Sequence, residues 1–485
     1  MKSKKKKLKK IGMIVTLLLV ILIMLLSYML IKLNILPYHY LIILIVILGI
    51  ITLTLSKVML ISKYKVWLKV ISIIISLILV IVSIVANIYI FKTYNFMDTI
   101  NNDKKIYENY YILVLNNTYN KIDELKNKKI GTFNESTDMY DNVIKELDKK
   151  ITSTRKEYIS IDNLIKSLLN KESDAIILSN IMYEFTKEED KTFESKVKII
   201  DTIKVEKEDK VKDTNLNISK DVFTIYISGI DTYGDIKLRS RSDVNMLVTI
   251  NPTTYEILLT SIPRDYYVQL HNTKGYKDKL THAGIYGVNM SIETIEDLLN
   301  INIDYYVRVN FSTLVNVVDI IDGIDINSDA SFTPWTDKSF TVKKGMNHFT
   351  GKQALAYARE RYAYKEGDRH RVQNQQDVIT AIIKKLTSTK TLLTKYTTLL
   401  NSIKNSFQTN INLDDLAPLV QLQLSKMPNW TIKKYSLNGT NSSGYTYTMG
   451  EQKVFVMTPD QKTIDKAYEY ISGMKKGKKL SELGL

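Results

Sequence analysis

The sequence contains no cysteine. Disulfide bonds, thiolate metal sites and cysteine nucleophiles are therefore excluded, and several classes of enzyme with them. Histidine is scarce, with five residues in 485, and none of them lies between residues 98 and 215. That stretch also has no paired acids beside a glycine-rich turn, so its sequence offers no catalytic constellation.

Acidic residues are missing from the first 97 positions, which hold thirteen lysines. The formal net charge of the whole chain is +16, but the remaining 54 basic residues nearly balance the 51 acidic ones. The excess charge therefore belongs to the N-terminal segment. We interpret the lysine cluster at residues 1–10 as a membrane-topology signal, not as a nucleic-acid-binding arm, and expect no nucleic-acid partner.

Three long apolar runs follow that cluster, at residues 11–33, 41–62 and 70–91. Each has about 22 residues, enough for a helix to cross a hydrocarbon core about 30 Å thick. A cleaved signal peptide would have a shorter apolar core and no further spans after it. The sequence therefore predicts three transmembrane helices.

Lysine placement predicts their orientation. The N-terminal cluster and the second loop, with Lys63, Lys65 and Lys69, are basic, whereas the first loop after Asn34 has no lysine or arginine. Because basic loops stay in the cytoplasm, we expect a cytoplasmic N-terminus and an extracellular chain after residue 91.

The outer part divides into two predicted domains. Residues 98–215 alternate short apolar runs with helical patterns, which predicts a small accessory α/β domain. The charged stretch KVEKEDKVKDTN at residues 204–215 is interpreted as a linker. From residue 216 to 485, strands and helices mix in a way typical of a three-layer α/β sandwich with a mixed sheet. Ligands of such sheets bind at the carboxyl ends of strands.

Arginine is rare, with nine residues among 67 basic ones, yet eight of the nine lie between Arg239 and Arg371, and all of these except Arg308 belong to RSRSD, SIPRD or residues 358–376. A guanidinium group donates two parallel hydrogen bonds to a phosphate or carboxylate, whereas lysine acts as a point charge. The clustering therefore predicts a site that binds an anion.

Two aspartates lie beside these arginines in the sequence. Asp231 ends a predicted strand, and Asp243 begins the next one after Arg241. Mg²⁺ is usually held by one or two carboxylates together with phosphate oxygens and waters. Either aspartate alone would more often only cap a turn, but together with the arginines they predict a site for Mg²⁺ and a diphosphate.

The stretch ARERYAYKEGDRHRVQNQQ, residues 358–376, holds four of the arginines. Arg359 and Arg361 can share a face only if the chain is extended after a helix ends. Asp368 is placed to cap the next helix, on which Arg371 and Gln375 would stack one turn apart. A solvated charged helix face is the alternative, but it does not explain the choice of arginine.

Several motifs in order resemble the LytR-CpsA-Psr family of cell-envelope phosphotransferases. They are GID, RSD, SIPRD, DKLTHA, VDIIDGIDI and ALAYARER followed by GDRHRVQNQQ. The resemblance covers residues 222–386 closely. The three spans and the accessory domain are similar to the capsule-associated members.

That resemblance implies an enzyme that moves a glycosyl phosphate from a polyprenyl-pyrophosphate carrier to a peptidoglycan hydroxyl outside the membrane. Asp231 and Asp243 would bind Mg²⁺, with Mn²⁺ as an alternative. Asp368 would orient arginines, and Asp243 or Asp265 would be the general base. The remaining residues would hold the pyrophosphate: Arg241, Arg264, Lys279, Arg359, Arg361, Arg371 and Gln375. Arg369 is set apart as a neighbour, and His282 and His370 are expected to be structural.

Two other functions stay open at the level of sequence. The same site could hydrolyse a polyprenyl pyrophosphate, or the protein could be a non-enzymatic envelope sensor. Which glycopolymer is moved, and whether the chain forms oligomers, does not follow from the sequence.

Overall fold

A computed structural model describes residues 2–485 with gaps at residues 35, 62, 103–105, 134–139, 159, 208–215, 231–239, 365–366, 389–406 and 412. Three long helices open the chain: α1 (Lys2–Leu33), α2 (Tyr38–Leu60) and α3 (Val66–Asn102). By length and composition, the segments Lys6–Leu33, Tyr38–Leu60 and Val66–Lys92 can each cross a membrane. These helices fit the three predicted spans.

The N-terminal α/β unit follows α3 and contains a five-stranded sheet with the order β3-β2-β4-β1-β5. Strand β2 is parallel to β3 and β4, and β1 is antiparallel to β4 and β5. Its elements are β1 (Ile106–Leu115), β2 (Lys129–Phe133), α4 (Tyr140–Lys150), β3 (Thr154–Tyr158), α5 (Ile161–Leu169), β4 (Ala175–Ser179), α6 (Asn180–Glu189), α7 (Phe193–Lys196) and β5 (Val197–Lys207).

The predicted linker begins too early. Residues 204–207 are the end of β5, which pairs along β1 from Ile106 to Leu115. Ile203 and Val205 are buried, whereas Lys204 lies between them on the exposed face. The high charge of this stretch thus belongs to the exposed side of a half-buried strand. Residues 208–215 lie outside the described residues.

The C-terminal unit is built on a six-stranded mixed sheet with the order β14-β11-β6-β7-β8-β15. The pairs β6/β11 and β8/β15 are parallel and the other pairs are antiparallel. The strands are β6 (Phe223–Ile230), β7 (Ser242–Asn251), β8 (Glu256–Ile262), β9 (Tyr267–Val268), β10 (Asp278–Lys279), β11 (Tyr305–Val309), β12 (Ile324–Ser328), β13 (Gly345–Phe349), β14 (Phe407–Thr409), β15 (Thr431–Ser436), β16 (Gly439–Thr446) and β17 (Gly450–Pro459). The helices are α8 (Leu280–Ala283), α9 (Val288–Leu299), α10 (Phe311–Ile320), α11 (Gly351–Arg359), α12 (Asp368–Leu386), α13 (Leu413–Lys426) and α14 (Gln461–Lys475).

Helices cover both faces of this sheet, because successive side chains of its strands point to opposite sides. On β7, Leu247 belongs to the apolar cluster that includes Ile295 of α9 and Ile471 of α14. Its neighbour Val248 belongs to a second cluster, against which Ile379 of α12 packs. The predicted three-layer sandwich with a mixed sheet is confirmed.

One apolar cluster runs through both α/β units. It contains Phe133 and Leu164 from the N-terminal unit and Tyr447 from the C-terminal unit, and the rings of Phe133 and Tyr447 lie 5.6 Å apart. The ring of Phe185 on α6 lies 5.9 Å from that of His282. The two units therefore share buried apolar surface.

Helix α11 ends at Arg359, and the chain continues in an extended conformation. The helix starts with a capping box between Thr350 and Gln353, and the residue after its last turn, Glu360, has an extended backbone with φ −68° and ψ 132°. Helix α12 then begins at Asp368, and Gly367 occupies the N-cap position with φ +54°. The prediction that Asp368 is the N-cap is therefore wrong by one residue. A positive φ at this position favours glycine over aspartate.

Candidate active site

A cavity of about 570 Å³ lies between the main sheet and helices α10, α11 and α12. The ends of β6 and β11 form its floor, as expected for a ligand site in such a sheet. One side of the cavity is charged. Seven predicted residues line it: Arg241, Asp243, Arg264, Arg359, Arg361, Arg371 and Gln375.

Two arginines flank the end of α11 and reach the same cavity. Arg359 is the last helical residue, and Arg361 follows the extended residue Glu360. The guanidinium of Arg359 lies 4.3 Å from the centre of the Phe311 ring, and Nη2 of Arg361 donates to the hydroxyl of Tyr362 at 2.8 Å. The chain is thus extended at Glu360, as predicted for Arg359 and Arg361 to share a face.

Glu360 fixes this extended segment. Its side chain is buried, and Oε1 accepts hydrogen bonds from the backbone N–H groups of Arg361 (2.9 Å), Tyr362 (2.6 Å) and Ala363 (2.9 Å). Oε2 accepts from the backbone N–H of Trp335 at 2.6 Å. One carboxylate therefore joins the segment that carries Arg361 to the loop that carries Trp335, and both residues line the cavity.

Asp243 faces the arginines of α11 and α12 from the strand side. Its Oδ2 accepts from Nη1 of Arg264 at 2.6 Å, and its Oδ1 accepts from the hydroxyl of Thr281 at 3.1 Å. The preceding residue, Ser242, contacts the hydroxyls of Ser228 at 2.8 Å and Tyr226 at 3.1 Å. This buried network fixes the start of β7, and burial raises the pKa of Tyr226.

A glycine allows α8 to approach the start of β7. A Cβ atom on Gly284 would lie 2.7 Å from the carbonyl oxygen of Ser240 and 2.8 Å from the backbone nitrogen of Ser242. Any side chain there would displace the segment that carries Arg241 and Asp243. Gly284 is thus required by the close packing behind the site.

Two predicted residues lie behind the cavity wall. Lys279 Nζ lies 3.1 Å from Oδ1 of Asp265, and Oδ2 of Asp265 accepts from Nε of Arg264 at 3.4 Å. Neither Lys279 nor Asp265 lines the cavity. Asp265 is placed to orient Arg264, which it shares with Asp243, and Lys279 pairs with the other oxygen of Asp265.

The N-terminal unit reaches the edge of the cavity through α6. Glu189, the last residue of α6, pairs with Arg241 at 3.4 Å. Both side chains are about 40% exposed, at 41% and 39%, so the pair is largely solvated.

The other polar residues singled out in the sequence point elsewhere. Nη2 of Arg369 donates to the carbonyl oxygen of Gly439 at 3.0 Å. His282 and Asp278 are both buried, and Nδ1 of His282 lies 2.7 Å from Oδ1 of Asp278. The other oxygen of Asp278 accepts a hydrogen bond from the hydroxyl of Thr448. The ring of His370 stacks on that of Tyr364 at 3.3 Å. None of these residues lines the cavity.

The remaining wall of the cavity is apolar. It is formed by side chains from the sheet and from helices α10 to α12: Ile227, Val244, Val309, Leu314, Leu355, Val378 and Ile379. A cavity with guanidinium groups on one side and aliphatic side chains on the other is suited to a ligand with an anionic head and an apolar tail.

A magnesium ion would meet a small set of protein ligands here. Among the described residues, no group of three or more histidine or acidic side chains could hold a metal ion. Asp243 supplies one carboxylate at the cavity wall, and Asp231 lies outside the described residues. Because Mg²⁺ binds with one or two carboxylates when phosphate oxygens and waters complete its shell, Asp243 fits the ion in the presence of a diphosphate.

Some residues of the site were missed from the sequence. Thr281 lies within the DKLTHA motif, so its neighbours gave a signal, but its bond to Asp243 did not follow from spacing. Trp335 lines the cavity from a loop without any motif, and Glu360 was passed over between the two arginines. Asp368, which was predicted to orient arginines, is the first residue of α12, and its side chain lies outside the described part of the structure.

Comparisons with known proteins agree with this picture. The LytR_cpsA_psr family model matches residues 182–463, more than half of the chain. A Bacillus cereus protein named polyisoprenyl-teichoic acid–peptidoglycan teichoic acid transferase TagU is 38% identical over 194 residues, which are 40% of this chain and 62% of that protein. The chain thus spans less than two thirds of that relative. A protein of the same name from Enterococcus faecalis is 32% identical over 240 residues, 49% of this chain and 74% of that protein.

Among solved structures, TagV of B. subtilis is 29% identical, with a TM-score of 0.46 over 53% of this chain and 98% of TagV. The family match begins at Met182 in α6, so it includes the contact between Glu189 and Arg241. With a family model that matches more than half of its residues and a relative of which it covers 74%, the chain belongs to the LytR-CpsA-Psr family.

Proposed function

We propose that this protein transfers a glycosyl-phosphate polymer from a polyprenyl-pyrophosphate carrier to a hydroxyl group of peptidoglycan and releases polyprenyl phosphate. The relatives named above are teichoic acid–peptidoglycan transferases, which supports a polymer donor and a peptidoglycan acceptor. The donor carries two phosphates between a sugar and an apolar chain, and the cavity offers complementary walls to both parts.

The arrangement of the arginines carries this proposal. Arg359 and Arg371 enter from helices α11 and α12, and Arg361 enters from the segment between them. Arg264 enters from the strand side. Transfer from a diphosphate requires neutralisation of charge on the phosphoryl oxygens more than covalent help from the protein. Guanidinium groups placed around one cavity supply that neutralisation.

In the proposed step, the acceptor hydroxyl oxygen attacks the phosphorus that is bonded to the sugar. A bond forms between this oxygen and phosphorus, and the bond from the same phosphorus to the bridging oxygen breaks. Polyprenyl phosphate leaves with that electron pair, and a base takes the hydroxyl proton. The product is a phosphodiester between sugar and peptidoglycan.

Asp243 is better placed than Asp265 to act as this base. Asp243 lines the cavity, whereas Asp265 lies behind it, paired with Lys279. Asp243 is also the described residue that would hold Mg²⁺, with Asp231 as the second predicted ligand. When bound, the ion would neutralise charge on the diphosphate.

The three apolar helices support membrane anchoring. We propose that the N-terminus is cytoplasmic and that both α/β units are extracellular, where peptidoglycan is found. This orientation rests on the lysines of the N-terminal segment and of the second loop.

Reconstitution of the full-length protein tests the proposed function. The protein would be given a polyprenyl-pyrophosphate saccharide, Mg²⁺ and a glycan acceptor, and the products would be analysed by mass. We expect a phosphodiester-linked product and release of polyprenyl phosphate that depends on the acceptor. Equal release without the acceptor would instead identify a hydrolase, and no product under any condition would favour a sensor.

The metal is tested in the same preparation. EDTA should abolish transfer and Mg²⁺ should restore it. Asp243→Asn should also weaken binding of Mn²⁺ when donor is present, as measured by electron paramagnetic resonance. Unchanged Mn²⁺ binding in that variant would remove Asp243 from the metal site.

A further inference from the structure

Helix α13 contacts the loop between the first two membrane helices. Nε2 of Gln421 donates to the backbone oxygen of Asn34 at 2.5 Å and to its side-chain oxygen at 3.1 Å. Asn34 directly follows the membrane-crossing segment Lys6–Leu33. This contact places α13 at the end of the membrane bundle.

The opposite side of α13 packs against an apolar cluster that also supports the cavity wall. Leu419 packs against the same buried cluster as Ile379 and Ile383 of α12, and the cavity-lining residues Ile227 and Val244 pack against it too. Residues two apart on a helix point in nearly opposite directions, so Leu419 faces the cluster while Gln421 faces Asn34. Helix α13 therefore lies between the membrane loop and the apolar cluster that supports the cavity wall.

Helix α12 runs from the arginines of the cavity to helix α13. Arg371 and Gln375, near its start, line the charged side of the cavity, and Val378 and Ile379 line the apolar side. At its other end, the carbonyl oxygen of Thr387 accepts from Nε2 of Gln423 on α13 at 2.9 Å. The polarity along α12 thus changes from anion-binding to apolar in the direction of the membrane loop.

The cavity is too small to enclose a whole polyprenyl chain, so part of the chain must extend beyond its apolar end. About 570 Å³ is typical of pockets that enclose drug-sized ligands, whereas a polyprenyl carrier has a longer chain. The part of the prenyl chain that does not fit in the cavity needs apolar surroundings, because exposing apolar surface to water is unfavourable. The hydrocarbon of the bilayer, reached past α13, provides them.

We propose that α13 is a membrane-docking helix. Its contact with the Asn34 loop sets the apolar end of the cavity against the outer face of the bilayer, so that the donor's prenyl chain enters alongside α12 directly from the membrane. This inference rests on the proposed function for the identity of the donor.

The docking contact is tested first, in liposomes and independently of activity. Because the chain has no cysteine, Asn34→Cys and Gln421→Cys introduce the only two thiols. A short bifunctional thiol reagent should join them. The matched control pairs Asn34→Cys with Gln452→Cys, an exposed glutamine beside Glu451, which faces Lys166 of the N-terminal unit. A cross-link in the control only, or in neither protein, would overturn the docking.

Donor length tests the route. Gln421→Ala removes both hydrogen bonds to Asn34 and should lower kcat/KM about fivefold for a long-chain donor embedded in the bilayer. The same variant should use a short-chain, water-soluble donor as wild type does, and Gln452→Ala should change neither.

Equal losses with both donors, or no loss with either, would refute direct entry from the membrane. If the wild-type protein used neither donor, the proposed function would fail, and the cross-link would still decide whether α13 docks.

Discussion

Five of the nine arginines in this chain line one cavity, although lysine supplies most of its positive charge. A lysine ammonium could neutralise a phosphate, but it cannot donate two parallel hydrogen bonds from a rigid plane. The choice of arginine at these positions therefore indicates the geometry of the ligand as well as its charge.

We predict that Arg359→Ala lowers the transfer rate by about 10²–10³, a loss typical of removing one group that stabilises the transition state. Arg359→Lys should recover little of it. Arg369→Ala is the matched control, because Arg369 contacts Gly439 and not the cavity, and it should transfer nearly as wild type does. Similar losses at both positions would contradict the assignment of Arg359 to the anion-binding site.

Glu360 is predicted to be a positioning residue. In Glu360→Gln, the amide N–H₂ must face a backbone N–H donor, which leaves buried donors unpaired at a cost of about 1–3 kcal/mol. We expect the donor KM to rise about tenfold as the Arg361 segment loosens.

A second carboxylate provides the control for Glu360. Glu296 accepts from the backbone N–H of Ile303 at 2.7 Å, away from the cavity. Glu296→Gln keeps an amide oxygen that can accept this single bond, so it should change the melting temperature little and leave the donor KM unchanged. If both variants changed stability and KM alike, Glu360 would have only a structural role.

Not every residue of the site could be predicted. The spacing in residues 358–376 predicted a shared site for Arg359, Arg361, Arg371 and Gln375, and these four side chains line one cavity. It could not show that Asp265 holds Lys279 behind the wall, since Asp265 directly follows Arg264, which does line the cavity. Which of two adjacent polar side chains faces a ligand depends on tertiary contacts that short motifs do not contain.

At the scale of elements, the clearest miss is the end of β5. The sequence IKVEK alternates apolar and charged residues, which is the pattern of a half-buried strand, but its charge favoured a linker. Helix boundaries near the site were closer, with an error of one residue at the start of α12.

The shared apolar cluster predicts that the two α/β units unfold together. Phe133→Ala should lower the free energy of unfolding by about 3–5 kcal/mol, since its buried ring packs on Tyr447. Urea unfolding followed by fluorescence and circular dichroism should show one transition. The control is Phe455→Ala, whose ring is 48% exposed and which should change stability much less. Separate transitions for the two units would contradict a common core.

For the whole molecule, the charge distribution predicted the membrane anchor more directly than any motif did. Thirteen lysines without an acid in 97 residues, interrupted by three apolar runs, leave few other structures for that segment. The docking of α13 on the Asn34 loop could not be foreseen, because it joins residues 387 positions apart.

Orientation can be measured on single-cysteine variants of this cysteine-free chain. Lys149→Cys on α4, a highly exposed position, should react with a membrane-impermeant maleimide on intact cells. Lys63→Cys in the second loop should react only after the cells are opened. The reverse pattern would place the α/β units in the cytoplasm, away from peptidoglycan.

The most direct test of the proposed transfer follows each phosphorus atom of the donor. One donor would carry ³²P next to the sugar and another would carry it next to the prenyl chain. We predict that the first label enters peptidoglycan and that the second stays in polyprenyl phosphate. Recovery of both labels in water-soluble or lipid products, with none in peptidoglycan, would contradict the account.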